Sequence, residues 1–325
     1  MAFYLGIDGG GSKTACAVGD ESHLIATVTA GPSNIVRVGE TAARESLHQA
    51  VGQACAAAGI TTQQIRRICV GAAGAGRPET ASMVHKILAE ILQGEIHVVG
   101  DGPIALEAAF GARPGVIVIA GTGSISYGRD ANGTTARAGG WGFAISDEGS
   151  AHWIGRAAIA ALLRANGTEA GIESDSVLWS VITKVWNVSS FEKLIRIANA
   201  SPPADFSAIF PAVLASAEQG DRTSEGILEH AGRELAELAA IVIHRLFPRR
   251  EPAPTTSGPS PDAEHTTVPV AMAGGVFRHA AVVRQTFYNE VRNRCPEAAP
   301  NPQVVDPVLG ALQLARRDEK HATLE

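Results

Sequence analysis

The sequence predicts an α/β protein of two similar domains, each a mixed β-sheet with flanking helices. Three observations lead to this prediction. Short β-rich runs alternate with helical stretches, as in parallel or mixed sheets covered by helices. A glycine-rich hairpin occurs twice, at residues 8–14 and 120–126, which indicates a repeated unit. The chain of 325 residues, 45% of them hydrophobic, can supply a core to each of two ordinary domains.

The first unit opens with three β-rich runs separated by glycine or polar turns, which predict a hairpin and a third neighbouring strand. Strands and helices alternate after it. The predicted elements are strands at 3–8, 14–18, 24–28, 68–72 and 96–100 and helices at 40–58 and 80–92. We expect residues 1–112 to form an N-terminal domain, with a C-terminal helix at about 308–325 packing back on it.

The second unit restarts the pattern at Val116 and is expected to span residues 113–307. Its predicted elements are strands at 116–120, 125–128, 134–138 and 268–272 and helices at 151–165, 191–200, 224–247 and 277–291. Residues 249–267 are rich in Pro, Ser and Thr and have no apolar periodicity. We therefore expect a solvated loop there, inside the second domain.

Composition mainly excludes classes of partner. A net charge of −6 with dispersed Lys and Arg argues against a nucleic-acid partner, which requires a basic face. No apolar run approaches the ~20 residues of a membrane span, and the start lacks the pattern of a signal peptide. The four cysteines are scattered without the spacing of a zinc or iron–sulfur site. We expect a cytoplasmic protein with neither nucleic-acid nor membrane partners.

Glycine is unusually frequent in this chain. The chain has 35 glycines, and 25 of them fall within the first 150 residues. Backbones that turn tightly or approach a ligand closely need glycine, so this excess favours ligand-binding loops.

The first candidate loop follows Asp8, which ends a predicted strand and precedes three consecutive glycines. The exposed N–H groups of such a run can hold phosphate oxygens, and Ser12, Lys13 and Thr14 add hydroxyls and a positive charge. The segment is not a P-loop, because the order Ser-Lys-Thr is different and a strand follows instead of a helix. The alternative is a hairpin turn without a ligand.

A second loop, at 121–124, places Gly121, Thr122 and Gly123 between two apolar strands. Alone it is also compatible with an ordinary turn. Together with the first loop, it would hold a polyphosphate from two sides. A strand followed by Gly274 and Gly275 predicts close backbone approach to a nucleotide base, or a tight strand–helix turn.

Asp101 ends a strand and starts a helix, where open α/β folds place functional groups. Its carboxylate suits either a helix N-cap or a general base, and the two roles are compatible. The segment 139–151 contains Gly-Gly-Trp-Gly around Trp141 and then Asp147 and Glu148 before a helix. Acids at a helix start are common. An aromatic ring beside carboxylates is also a frequent means of binding a sugar.

These segments, in this order, resemble the phosphate, connecting and adenosine motifs of the actin/Hsp70/sugar-kinase superfamily. Within it the chain is similar to the BadF/BadG/BcrA/BcrD ATPase family, in particular its N-acetylglucosamine kinase branch. The resemblance implies two actin-like (ribonuclease H-like) domains with the active site in a cleft between them. It also implies ATP-dependent transfer of the γ-phosphoryl group to the 6-hydroxyl of N-acetylglucosamine or a close relative, with ATP and Mg²⁺ as cofactors and a homodimer as the assembly.

The resemblance also assigns roles to residues of this chain. Asp101 matches the base that deprotonates the attacking hydroxyl, and Asp8 matches the residue that holds Mg²⁺ through water. The sugar-contacting positions are Asn34, Asp101, Gly140, Trp141 and Asp147. The nucleotide-contacting positions are Gly10, Gly11, Ser12, Lys13, Thr14, Gly121, Thr122, Gly123, Ala271, Gly274 and Gly275.

Several alternatives remain open at this point. The small residues of loop 71–77 leave room near the sugar for N-acetylmuramic acid, and relatives also phosphorylate glucosamine. An activator ATPase of 2-hydroxyacyl-CoA dehydratases shares the fold, but it needs a cysteine-held iron–sulfur cluster where this chain has Gly-Gly-Trp-Gly. A non-catalytic sugar sensor is disfavoured because Asp8 and Asp101 are both present.

Overall fold

The computed structural model describes residues 2–166, 176–201, 204–248 and 267–317. The predicted loop 249–267, apart from Thr267, and the last eight residues of the predicted C-terminal helix lie outside these ranges. The first half of the chain contains the elements β1 (Phe3–Gly9), β2 (Thr14–Gly19), β3 (Leu24–Ala30), α1 (Ile35–Ala58), β4 (Ile65–Ala72), α2 (Pro78–Ala89), β5 (Glu95–Val99) and α3 (Asp101–Phe110).

The second half begins with three strands, continues with helices, and returns to strands near its end. Its elements are β6 (Gly115–Ala120), β7 (Ser124–Arg129), β8 (Thr135–Gly139), α4 (Ala151–Asn166), α5 (Val177–Trp186), α6 (Phe191–Ala198), α7 (Phe210–Glu218), α8 (Arg222–Leu246), β9 (Val268–Ala273), α9 (Gly275–His279), α10 (Ala281–Arg294), β10 (Ala298–Val305) and α11 (Pro307–Arg316). None of the described helices is both long and apolar enough to cross a membrane.

The strands form two five-stranded sheets with the same topology. The first has the order β3-β2-β1-β4-β5 and the second the order β8-β7-β6-β9-β10. In each, the first three strands along the chain are antiparallel neighbours and the last two pair in parallel. This correspondence confirms the predicted fold class of two mixed sheets with flanking helices.

The first sheet is covered by helices on both faces. Side chains alternate between the two faces of the sheet along β1, so Leu5 and Ile7 point to one face and Tyr4 points to the other. Leu5 and Ile7 are buried in the cluster that α1 and α2 share with the sheet. Tyr4 belongs to a separate cluster with residues of α11, which brings the end of the chain back onto the first sheet. The chain thus passes between the two units twice, before β6 and after β10.

The strand β10 was missed by the sequence analysis. It contains Pro300 and Pro302, and proline argues against a strand because it donates no ladder hydrogen bond. β10 lies at the edge of its sheet, where one side needs no partner, and its register with β9 is irregular between Pro300 and Val304. The edge position therefore tolerates both prolines.

Two predicted helix boundaries were also wrong. Helix α1 begins at Ile35, and Gly39, with φ of 79°, interrupts it just before the predicted start. The segment predicted as one helix at 277–291 is two, because Ala280 has extended backbone between α9 and α10.

Candidate active site

The loop after β1 is fixed to the start of α1. The N–H of Gly10 donates to the carbonyl of Lys13 at 3.0 Å, which closes the turn. The carbonyl of Gly10 accepts from the N–H groups of Ser33 and Asn34, both at 3.1 Å. Asn34 caps α1 through its side chain, which accepts from the N–H of Val36. The structure therefore holds Asn34 beside the glycine loop, although it lies 24 positions after Gly10 in the chain.

Two residues predicted to contact the nucleotide are buried. Thr14 is fully buried, and its hydroxyl lies 2.7 Å from both the carbonyl oxygen of Gly31 and the hydroxyl of Ser33. Ala271 is 1% exposed and packs in a cluster with Ile117. Both side chains therefore contact neighbouring protein atoms, and the assignment of these two residues to the nucleotide site stays a prediction.

The loop 121–124 meets the first loop. The hydroxyls of Ser12 and Thr122 lie 2.7 Å apart, although they come from different sheets. The carbonyls of Gly121 and Thr122 accept from the N–H groups of Ala151 and His152 at 2.9 and 3.2 Å. The start of α4 thus fixes the second loop, and the two loops expected to flank a polyphosphate are neighbours.

The turn after β9 depends on the backbone conformation of Gly274. Its φ is 99°, and a Cβ built there would lie 2.3 Å from the carbonyl oxygen of Ala120. The strand end therefore packs directly on the backbone that leads into the loop 121–124, an approach that only glycine permits. By contrast, a Cβ on Gly275 would meet no atom within 4 Å.

The segment 139–149 needs glycine for its conformation. Gly139, Gly140, Gly142 and Gly149 all have positive φ. Asp147 also has positive φ, at 67°, which is uncommon outside glycine and is found at functional sites. The segment folds over the loop 121–124, because a Cβ on Gly123 would lie 2.8 Å from the Oδ2 atom of Asp147. Asp147 is 8% exposed, whereas the neighbouring Trp141 is 61% exposed.

Asp101 is the first residue of α3, and Gly100 occupies the N-cap position. The prediction that Asp101 is the cap is therefore wrong. Its Oδ1 atom accepts from the N–H of the adjacent Gly102 at 3.1 Å. A Cβ on Gly102 would lie 2.7 Å from the ring of Tyr127 in β7. The start of α3, and Asp101 with it, thus lies against the second sheet.

Three of the predicted site carboxylates influence one another. Burial, and next the charge of Asp101, raise the pKa of Asp8 to about 7, although Lys13 opposes this. Burial raises the pKa of Asp101. Burial raises the pKa of Asp147 as well, with smaller contributions from Glu148 and Asp101. Asp8, Asp101 and Asp147 come from three separate segments, and the charge of Asp101 acts on each of the other two.

The structure adds Asp306, which the sequence analysis missed. It precedes α11, adds to the raised pKa of Asp8, and pairs with Arg278 of α9. The chain does contain a pattern that could have indicated Asp306, because this residue lies between a strand and a helix, as Asp101 does. Because the sequence analysis did not predict β10, it did not recognise that Asp306 follows a strand.

Two arginines near the site were also missed. Arg37, three residues after Asn34, donates to Asp205 at 2.5 Å and to Ser207 at 3.1 Å. Arg137 of β8 stacks over Trp141, with its Cζ atom 4.0 Å from the ring centroid. The first contact leaves no local sequence pattern, since Arg37 and Asp205 are 168 residues apart.

Comparisons with known proteins agree with this arrangement. Among solved structures, a proposed N-acetylglucosamine kinase from Chromobacterium violaceum superimposes with a TM-score of 0.73 at 23% identity, over 97% of this chain and 99% of that one. A ROK family glucokinase from Streptomyces griseus, in complex with glucose and AMPPNP, gives a TM-score of 0.58 at 16% identity, over 98% of this chain and 100% of that one. These similarities establish the fold.

Sequence similarity extends to characterised relatives. The chain is 30% identical to an N-acetylmuramic acid/N-acetylglucosamine kinase of Clostridium acetobutylicum, over 98% of this chain and 99% of that protein. It is 27% identical to an N-acetyl-D-glucosamine kinase of Dictyostelium discoideum, over 98% of each. The model of one family matches residues 5–315. The chain belongs to the BadF/BadG/BcrA/BcrD ATPase family.

Proposed function

We propose that the protein is an ATP-dependent amino-sugar kinase that transfers the γ-phosphoryl group to the 6-hydroxyl of N-acetylglucosamine or a close relative. The observation that carries this proposal is the convergence of Asp8, Asp101 and Asp147 beside two touching glycine loops. Such transfer depends on positioning and charge neutralisation. The loops would position the phosphates, and a cation held at Asp8 would neutralise their charge. The names of the characterised relatives support the same reaction.

The nucleotide is expected at the two glycine loops. Their backbone N–H groups and the hydroxyls of Ser12 and Thr122 are the donors available to phosphate oxygens. Lys13 adds a positive charge, and Gly274 and Gly275 bound the same region after β9. Gly10, Gly11, Gly121 and Gly123 complete the proposed binding set.

A divalent cation fits the acidic group around Asp8. Burial and the charges of Asp101 and Asp306 raise the pKa of Asp8, and a cation nearby would reverse that penalty. Carboxylate oxygens and water are the ligands that Mg²⁺ prefers. We propose Asp8 as the residue that holds Mg²⁺ through water, and the ion would neutralise charge on the phosphates.

Asp101 is proposed as the general base. It is held at the start of a rigid helix, and its carboxylate has no ion-pair partner within hydrogen-bond distance among the described residues. Burial raises its pKa, which brings it closer to the working pH and strengthens it as a base. The acceptor hydroxyl would donate its proton to this carboxylate as the phosphoryl group is transferred.

The amino sugar is expected between Asn34, Asp101, Gly140, Trp141 and Asp147. Loop 71–77 borders the same region, because a Cβ on Gly74 would lie 3.6 Å from Val36, two residues after Asn34. The exposed ring of Trp141 offers an apolar face to a pyranose, and the carboxylates offer acceptors to its hydroxyls. We also propose that the two domains close over the sugar and exclude water.

The test of this proposal is ADP release from Mg-ATP in the presence of N-acetylglucosamine, glucosamine or N-acetylmuramic acid. We expect sugar-dependent turnover with at least one of them. Asp101→Asn should lower kcat by about 10²- to 10⁴-fold, because it removes the base, while calorimetry still detects sugar binding. Failure with all three sugars would refute the kinase, and a fully active Asp101→Asn variant would refute the base.

A further inference from the structure

Arg137 faces the start of α3 from the second sheet. It lies directly opposite Tyr127 in the antiparallel pair of β8 and β7, so both side chains are on the same face. The ring of Tyr127 packs on Gly102. The register thus places Arg137 on the face of the sheet that meets Asp101, and Arg137 accordingly lowers the pKa of Asp101.

The guanidinium of Arg137 has no ionic partner in the described part of the chain. Its Nε atom is buried and has no hydrogen-bond partner. Its side chain stacks on the ring of Trp141, with Cζ 4.0 Å from the ring centroid. A buried donor without an acceptor is costly, and such groups in native proteins call for an explanation. Arg137 as a whole is only partly buried, so an anionic ligand would meet the guanidinium at its terminal Nη atoms.

Other cations of the site are differently engaged. Arg37 is bound to Asp205 and Ser207. Lys13 belongs to the loop proposed for the phosphates, where it acts on Asp8. The sugar side of the site otherwise carries Asp101 and Asp147, which repel a negatively charged acceptor. An anionic acceptor therefore requires a cation there, and Arg137 is positioned to be that cation.

We propose that Arg137, supported by Trp141, binds a carboxylate carried by the acceptor amino sugar. The chemical class is an N-acetylated hexosamine with a carboxylic acid substituent, such as N-acetylmuramic acid with its 3-O-lactyl group. A guanidinium can hold a carboxylate through its two terminal Nη groups with two parallel hydrogen bonds, and the aromatic ring fixes its plane. This inference rests on the proposed amino-sugar kinase function and assigns the residue that selects among its substrates.

The experiment compares an acid with its neutral ester. kcat/KM is measured for N-acetylmuramic acid and for its methyl ester, which keeps the lactyl carbon chain and removes the charge. We expect Arg137→Gln to lower the acid-to-ester ratio of kcat/KM by about 10- to 100-fold, the effect of losing a charge-assisted hydrogen bond. Arg137→Lys, which retains the charge without the planar fork, should give an intermediate ratio and also serves if the Gln variant does not fold.

A matched control is Arg245→Gln. The Nη1 atom of Arg245 donates to the backbone carbonyl of Arg137 at 2.9 Å, so the variant removes the same charge beside the same strand. Its acid-to-ester ratio should equal that of the wild type. The general effect of Arg137 on Asp101 cancels in the ratio, because both substrates depend on the same base.

Calorimetric binding of the acid and the ester without ATP separates this inference from the proposed function. If the wild type binds the acid more tightly than the ester and Arg137→Gln loses this difference, the carboxylate site is supported. That holds even if no sugar is phosphorylated, because the absence of phosphorylation would refute only the kinase. If the wild type phosphorylates N-acetylglucosamine but binds the acid no better than the ester, the inference is overturned. An unchanged ratio in Arg137→Gln overturns it as well.

Discussion

Asp8 gives the sharpest quantitative prediction. Burial, with the charge of Asp101, raises its pKa from 3.8 to about 7. A carboxyl whose pKa is raised by folding contributes stability below its unfolded pKa and loses that contribution as pH rises through the folded value. Between pH 5 and pH 8, linkage gives a loss of about 2–3 kcal/mol from this one group. Asp8→Asn has no charge to bury and should not incur the loss.

The assay is thermal unfolding without Mg²⁺ or nucleotide at pH 5 and pH 8. The free energy of unfolding of Asp8→Asn is compared with that of the wild type at each pH. The advantage of the variant should be about 2–3 kcal/mol larger at pH 8 than at pH 5, which corresponds to roughly 5 °C in Tm. Glu229→Gln removes an exposed carboxylate and is the control, with no such pH dependence expected. An equal gain at both pH values, or a variant that is less stable at pH 8, would refute the buried-charge reasoning.

Three further predictions concern packing around the site. Gly123→Ala places a Cβ 2.8 Å from the carboxylate of Asp147, so steady-state kinetics should show KM for the amino sugar raised by about tenfold. Thr14→Val removes a buried hydroxyl bonded to Ser33, so urea unfolding should show about 1–2 kcal/mol lower stability. Leu312→Ala empties a 2%-exposed position in α11, and the same measurement should show a loss of about 2–5 kcal/mol.

Each of these has a result that would contradict it. An unchanged KM in the Gly123 variant would mean that Asp147 does not contact the sugar. Unchanged stability in the Thr14 variant would mean that its hydroxyl is not bonded internally. A Leu312 variant as stable as the wild type would place α11 away from the first sheet.

Much of the fold could be predicted from sequence because its signals are local. Alternation of β-rich and helical segments, together with the repeated glycine hairpin, was sufficient to predict two mixed sheets. The failures were also local. The prolines of β10 concealed an edge strand, because proline argues against a strand only where a ladder hydrogen bond is needed. Gly39 concealed the first turn of α1.

The candidate site could be proposed in part from the sequence. Asp8, Asp101 and Asp147 were proposed because each adjoins a strand end or a glycine turn, a pattern visible in a short window. Thr14 fits the same window, but only the packing of Ser33 and Gly31 against it shows where its hydroxyl points. A residue type in a suitable motif does not reveal the direction of its side chain.

The sequence by itself determined most of the elements, the glycine positions and the acids at most strand ends, because backbone conformation depends largely on neighbours in the chain. The tertiary structure alone decided which of these meet. Three such meetings join segments far apart in sequence. They are the contact of Ser12 with Thr122, the pairing of Arg37 with Asp205, and the position of Arg137 near Asp101. Charge and hydrogen bonding act through space, so the pKa of Asp8 and the unpartnered Arg137 are properties of the folded arrangement.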